Sequence, residues 1–167
     1  MHPGTPDPAM ADIRIAPADL EDESLQALIR LHLSAMRANS PAESVHALDA
    51  SALAEPGIDL FVLSDAGRAL AMGALRRIDG SSFEIKSMRT RPDHTGKGFG
   101  RAVLEHLIAV ATQRGARRLS LETGSGASFE PALSLYRSRG FQSGPAFGGY
   151  AATDFNQFLH LDLEVSQ

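Results

Sequence analysis

The chain has 167 residues, 43% of them apolar and 22% charged, with a net charge of −4. That length suffices for one domain with a buried core, and the acidic balance disfavours a nucleic-acid partner. There is no cysteine, which excludes disulfides, thiolate metal sites and a cysteine nucleophile. No apolar run approaches the ~18 residues of a membrane span, so no membrane partner and a cytoplasmic address are expected. Residues 1–11 hold Pro3, Gly4, Pro6 and Pro8 without a charged-then-apolar pattern. They read as a disordered leader, with Met10 as an alternative start, ahead of a single domain at 12–167.

Asp12–Ala16 alternates as a first strand, and Pro17 ends it. A helix entered near Asp19 or Ser24 follows, with Leu25, Leu28, Ile29, Leu33 and Met36 on one stripe. His32 falls on that stripe and reads as a core histidine. Asn39-Ser40-Pro41 breaks the helix, and Ala42–Ala54 reads as a second short helix. Ile58–Ser64 is a continuous apolar run, hence a buried strand. Asp65-Ala66-Gly67 and Asp79-Gly80 are hairpin turns. They join it to strands at Arg68–Ile78, where Gly73 marks a bulge, and at Ser82–Arg89.

A glycine-rich loop, Thr95-Gly96-Lys97-Gly98-Phe99-Gly100-Arg101, precedes a helix with Val103, Leu104, Leu107, Ile108 and Ala111 on one face. Glycines leave backbone N–H groups open, and a helix N-terminus adds positive potential, so this is an anion site. It lacks the Gly-Lys-Ser/Thr of a P-loop and fails the G-x-G-x-x-G spacing of a dinucleotide fold. Gly115 caps the helix, and Arg118–Thr123 is a strand parallel to the fourth. Ser128 caps a short helix bearing Ala132, Leu135 and Tyr136, ended by Gly140. Phe158–Leu163 is the last strand. The order β-α-α-β-β-β-α-β-α-β is an α/β (α+β) mixed sheet with helices on both faces.

This order, with Gly98 and Gly100 before the long helix and Phe129, Ala132, Leu135, Tyr136, Gly140 and Phe141 downstream, resembles the GNAT N-acetyltransferase superfamily. Residues 36–49 (MRANSPAESVHALD) resemble its small bacterial members. The resemblance implies the GNAT-like fold and acetyl-CoA as co-substrate, without a metal. It places the pyrophosphate on Thr95, Gly96, Lys97, Gly98, Phe99, Gly100 and Arg101. The pantetheine arm would lie along Met88, Arg89 and Thr90, near Phe129 and Tyr136. Two positions depart from the family pattern. Thr95 stands where Arg or Gln is usual, although a threonine still caps a helix, and Phe129 replaces an asparagine.

The resemblance also implies roles. Met88 N–H would steady the thioester oxygen. Tyr136 would protonate the departing thiolate, unless it is only a core tyrosine. Glu84 would be the general base, eleven residues before Thr95. Strand alternation puts Glu84, Lys86 and Met88 on one face. A salt bridge with Lys86 is the competing reading of Glu84. Met36, Arg37, Glu43, His46 and Tyr150 are candidates for an acceptor pocket, with Arg37 as a carboxylate fork. The expected activity is acetyl transfer to a primary amine of a small molecule. A non-catalytic acyl-CoA-binding module and a protein N-terminal or lysine acetyltransferase are the alternatives, and a homodimer is left open.

Overall fold

The computed structural model describes residues 12–42 and 50–164. The leader at 1–11 and most of the second helix, including Glu43 and His46, lie outside the described residues. A seven-stranded sheet runs β1 (Ile13–Pro17), β2 (Ile58–Asp65), β3 (Arg68–Arg77), β4 (Ser82–Thr90), β5 (Arg118–Thr123), β7 (Gln157–Asp162), β6 (Gln142–Ser143) across its width. Every neighbouring pair is antiparallel except β4 and β5. The two-residue β6 is too short to leave a periodic signal, and it is the strand that the sequence reading lacks.

Helix α1 (Glu23–Asn39) starts at Asp22, whose side chain accepts from Ser24 N–H at 3.3 Å. This N-cap satisfies a donor with no helical partner, and it is neither Asp19 nor Ser24. The helix α2 (Ala50–Leu53) follows, then α3 (Phe99–Gln113) and α4 (Glu130–Ser138). Ser128 does not cap α4. It sits in a 3-10 turn, Ala127–Phe129, that leads directly into the helix without a side-chain cap.

The strands are buried on both faces. Phe61, Leu63, Leu75, Phe83 and Ile85 pack with α3, Leu133 and Tyr136 in one cluster. Leu60, Met72 and Ala74 pack with Leu25, Leu28 and Ile29 of α1 in the other. The stripe read from α3 is buried in full, and Ala116 N–H bonds Ala111 O around Gly115 at φ +85°.

One irregularity sets up the rest. The β3–β4 register runs Ala74↔Lys86, then Met72↔Arg89, so Ser87 and Met88 together oppose Gly73. The bulge therefore lies on β4, across from Gly73, with Ser87 at φ +56°. The extra residue reverses the side-chain alternation. Met88 turns toward α3, away from the face of Glu84 and Lys86, which corrects the shared face expected from strict alternation. Arg89 takes the α1 face instead.

Gly73 makes room for this. A Cβ there would lie 2.5 Å from Met88 Sδ and 2.9 Å from both Leu107 Cδ1 and Val103 Cγ1. Gly73→Ala is expected to lose about 1–3 kcal/mol by overpacking, or ~2–10 °C in Tm. An unchanged melting curve would show that Met88 is free to move aside.

Candidate active site

β4 and β5 pair only from Ser82↔Arg118 to Glu84↔Ser120. Beyond that both strands continue, to Thr90 and Thr123, without pairing to each other. A cavity of about 160 Å³ occupies the parting. His32, Met36 and Asn39 line it from α1, Glu84 to Arg89 from β4, Glu122 and Thr123 from β5, and Phe129, Tyr136 and Tyr150 from the far side.

Glu84 is 3% exposed. Its Oε2 accepts from Tyr150 Oη at 2.5 Å and from Lys86 Nζ at 3.4 Å. Lys86 Nζ also donates to Tyr150 Oη at 2.5 Å. The salt bridge anticipated from the sequence exists, but as one side of a triangle closed by a phenol. Burial, then the hydrogen bond and charge of Glu84, hold the Tyr150 hydroxyl well above its ordinary pKa. It therefore stays a donor at neutral pH.

Tyr150 arrives on the segment between β6 and β7, which aromatic packing and His160 hold down. Phe147 packs edge-on against Tyr150, Phe158 and His160. Within the sheet, His160 Nδ1 meets Ser120 Oγ at 2.7 Å, and its Nε2 meets Pro145 O at 2.8 Å. The Pro145 carbonyl can only accept, so Nε2 is the donor there, and the Ser120 hydroxyl can pair with Nδ1 in either role.

Tyr136 is 5% exposed, and burial raises its hydroxyl pKa above the ordinary value, with Arg89 pulling partly back. It too is a protonated hydroxyl at the cavity wall. Phe129, packed edge-on to Phe155, gives an apolar wall where the family pattern has an amide.

His32 is a cavity residue as well as a core one. Arg89 Nε donates to its Nδ1 at 3.0 Å. Burial, then the Arg89 charge, lowers the His32 pKa to about 4, so the ring is neutral. Burial also lowers the Arg89 pKa from its ordinary value, with Tyr136 opposing.

Beyond Thr90 the chain makes a 3-10 turn at Pro92–His94 and reaches the glycine loop. Gly96 and Gly98 have φ +79° and +85°, and the space a Cβ would take at either is open. Gly98 is the N-cap of α3 and offers no side chain. Thr95 does not cap α3, because its Oγ1 turns back to donate to Pro92 O at 3.2 Å. The first-turn N–H groups of Phe99, Gly100 and Arg101 have no helical acceptors by geometry. A Cβ at Gly100 would lie 3.2 Å from Thr90 Oγ1, so a larger residue there would press on Thr90 where α3 starts against β4. Lys97 and Arg101 are exposed beside the loop, and Arg101 donates to Ser138 Oγ at 2.7 Å.

The structure thus brings together Glu84, Met88, Arg89, Phe129, Tyr136, Met36 and Tyr150. It does not bring Arg37, which is exposed and outside the cavity. One helical residue past Met36 is a rotation of about 100°, enough to face water. His32, Asn39, Glu122 and Thr123 were missed as site residues. The i, i+4, i+7 spacing of His32, Met36 and Asn39 and the carboxyl end of the parallel strand β5 were the available signals. Among the described residues, no group of His, Asp or Glu is placed to hold a metal ion, and no helix is long and apolar enough to cross a membrane.

The site is thus a mixed sheet parted between two parallel strands, with a glycine-capped helix beside the parting. Residues 25–141 match the model of the Acetyltransferase (GNAT) family, and the chain belongs to that family. It is 43% identical to the uncharacterised N-acetyltransferase YsnE of Bacillus subtilis, over 87% of this chain and 96% of that protein. It is 37% identical to the uncharacterised N-acetyltransferase YedL of Escherichia coli, over 87% and 91%. A Klebsiella pneumoniae structure assigned as an acyl-CoA N-acyltransferase is 25% identical and superposes with a TM-score of 0.74, covering 91% of this chain and 98% of that one. YncA of Salmonella typhimurium, solved with its cofactor acetyl-CoA, is 21% identical with a TM-score of 0.68 over 92% and 95%.

The neutral state of His32 makes stability depend on pH. The unfolded chain takes up this proton near the ordinary 6.5, the folded chain only near 4. Stability from this group is therefore full above about 6.5 and falls as the pH drops toward 4, by about 3 kcal/mol at most. Denaturant unfolding at pH 7 and pH 4 should show a steeper loss for wild type than for His32→Gln. Equal losses would mean that His32 is not held neutral.

Proposed function

We propose that residues 12–167 act as one domain that transfers an acetyl group from acetyl-CoA to a primary amine of a small molecule. The observation that carries this reading is the parting of β4 from β5 at Glu84 and Ser120, with Glu84, its partner Tyr150 and Tyr136 all lining the cavity there. The residues present fit the cofactor. The β4 edge beyond Glu84 is unpaired with β5, Ser87 Oγ is buried without a partner among the described residues, and the loop from Gly96 to Gly98 is open for phosphate.

Bound acetyl-CoA supplies an activated acetyl thioester. The first-turn amides of α3 would hold its phosphates, with Lys97 and Arg101 adding charge in place of the usual Arg or Gln at position 95, and Met88 N–H, in the bulge, would donate to the carbonyl oxygen. An incoming ammonium must lose a proton before it attacks. Glu84 accepts that proton, directly or through Tyr150, whose hydroxyl passes its own proton to Glu84 Oε2 as it takes one from the amine. Lys86 holds both acceptors in place. Tyr136, kept protonated by burial, would supply a proton to the leaving sulfur.

A second reading, acetylation of a protein amine, draws on the [ribosomal protein bS18]-alanine N-acetyltransferase of Escherichia coli, 33% identical over 56% of this chain.

A thiol-release assay with acetyl-CoA against a panel of amines and short peptides tests the reading. Glu84→Gln should cut kcat ~10²–10⁴-fold while CoA still raises the Tm of the variant. Parallel losses of turnover and CoA stabilisation would reduce Glu84 to a structural ion-pair partner. In the same assay Tyr136→Phe should lower kcat about 10-fold or more; unchanged turnover would remove Tyr136 from the chemistry.

A further inference from the structure

Two cations line the cavity from β4, and they differ in one respect. The charge of Lys86 is answered by Glu84 at 3.4 Å and by the Tyr150 hydroxyl. Among the described residues the charge of Arg89 is not answered: its one hydrogen-bond partner there is the neutral ring of His32, and it makes no ion pair with them. An unpaired charge held away from water is costly. Here it is also fixed in place, because Arg89 Nε is committed to His32 Nδ1 at 3.0 Å. That leaves the two terminal nitrogens of the guanidinium as a planar fork at the cavity wall, the geometry that matches a carboxylate.

Building on the acetyl-transfer reading, we propose that Arg89, oriented by His32, is the carboxylate-binding group of the acceptor site, so that the acceptor is a primary amine that also bears a carboxylate. The fork that the sequence suggested at Arg37 is thereby moved to a residue that reaches the cavity. Glu84 sits five residues earlier on the same strand and the same face. At ~3.3 Å per residue the two Cα atoms are on the order of 15 Å apart, a span that two long side chains shorten from both ends. The amine of the acceptor faces Glu84 and Tyr150, and its carboxylate faces Arg89, with several bonds between them. The resulting order along β4, base first and cation last, sets the direction in which such an acceptor lies.

The test uses the full chain with acetyl-CoA and matched acceptors. The series runs from glycine through β-alanine and 4-aminobutyrate to 6-aminohexanoate, with the L-α-amino acids alongside, each paired with its carboxamide. The expected result is at least a tenfold preference in kcat/KM for acids over amides at the best spacing. Arg89→Gln should raise the KM for the acid about 10- to 100-fold and bring acid and amide level. Arg89→Lys, which keeps the charge and loses the fork, should recover only part of that preference. Stabilisation by CoA confirms that each variant is folded.

Equal use of acids and amides by the wild type would overturn the proposal, as would acetyl-CoA binding with no acid acetylated anywhere in the series. So would an Arg89→Gln defect in kcat that is the same for every acceptor, which would assign the charge to the sulfur side of the cavity near Tyr136. Failure of CoA to stabilise the wild type would instead sink the acetyl-transfer reading on which the proposal rests.

Discussion

After Glu84 meets Ser120, two parallel strands that share a sheet stop sharing hydrogen bonds, and the rest of the molecule is arranged around that break. Backbone donors and acceptors inside a protein need partners, so strands rarely part where a core is being built. Here β3 holds the other edge of β4 through to Thr90, while β7 holds β5 through to Thr123. Each strand of the divergent pair is thus supported from its outer side. The bulge at Ser87 and Met88 finishes the job on β4. It sends the methionine into the apolar layer under α3 and leaves Arg89 on the side of α1.

The polar groups exposed by the break fall into two sets, each built on one buried group, Glu84 or His32. One is the triangle of Glu84, Lys86 and Tyr150, which is charge-balanced and satisfied. The other is the pair of Arg89 and His32, which is hydrogen-bonded but carries net charge. Both are supported by distant parts of the chain, His32 by α1 and Tyr150 by the segment before β7. Low dielectric strengthens every interaction within such sets and penalises any member left over. Their geometry is therefore well determined even before a ligand arrives.

Periodicity made most of the fold legible. The α3 stripe, the antiparallel meander and the parallel β5 needed only apolar spacing and turn residues. The glycine loop was legible as a turn into a helix because Gly96 and Gly98 take positive φ values that other residues disfavour. What the sequence hid were events of one residue. The bulge at Ser87 reversed a strand's faces, and no local signal distinguishes it from regular alternation, since Gly73, the clue, lies on the neighbouring strand. Arg37 and Met36 are adjacent in sequence and point in different directions. His32 was assigned to the core from its stripe, and it is buried. The stripe runs past the edge of the sheet, however, and there the same face of α1 borders a cavity. Tyr150 was named, but its bond to Glu84 joins residues 66 apart in the chain, a relation that no pattern encodes.

That separation gives the contact between Ser120 and His160 a meaning of its own. The family model ends at Phe141, and the hairpin that follows is fastened through His160 to the strand beside the break. Contacts that close long loops form at an entropic cost. The anion loop, the bulge and Tyr136 all belong to the segment before that hairpin. The phenol that completes the Glu84 triangle comes from the hairpin itself. The Glu84 triangle is therefore held by two separately anchored stretches of chain, β4 for Glu84 and Lys86 and the last hairpin for Tyr150.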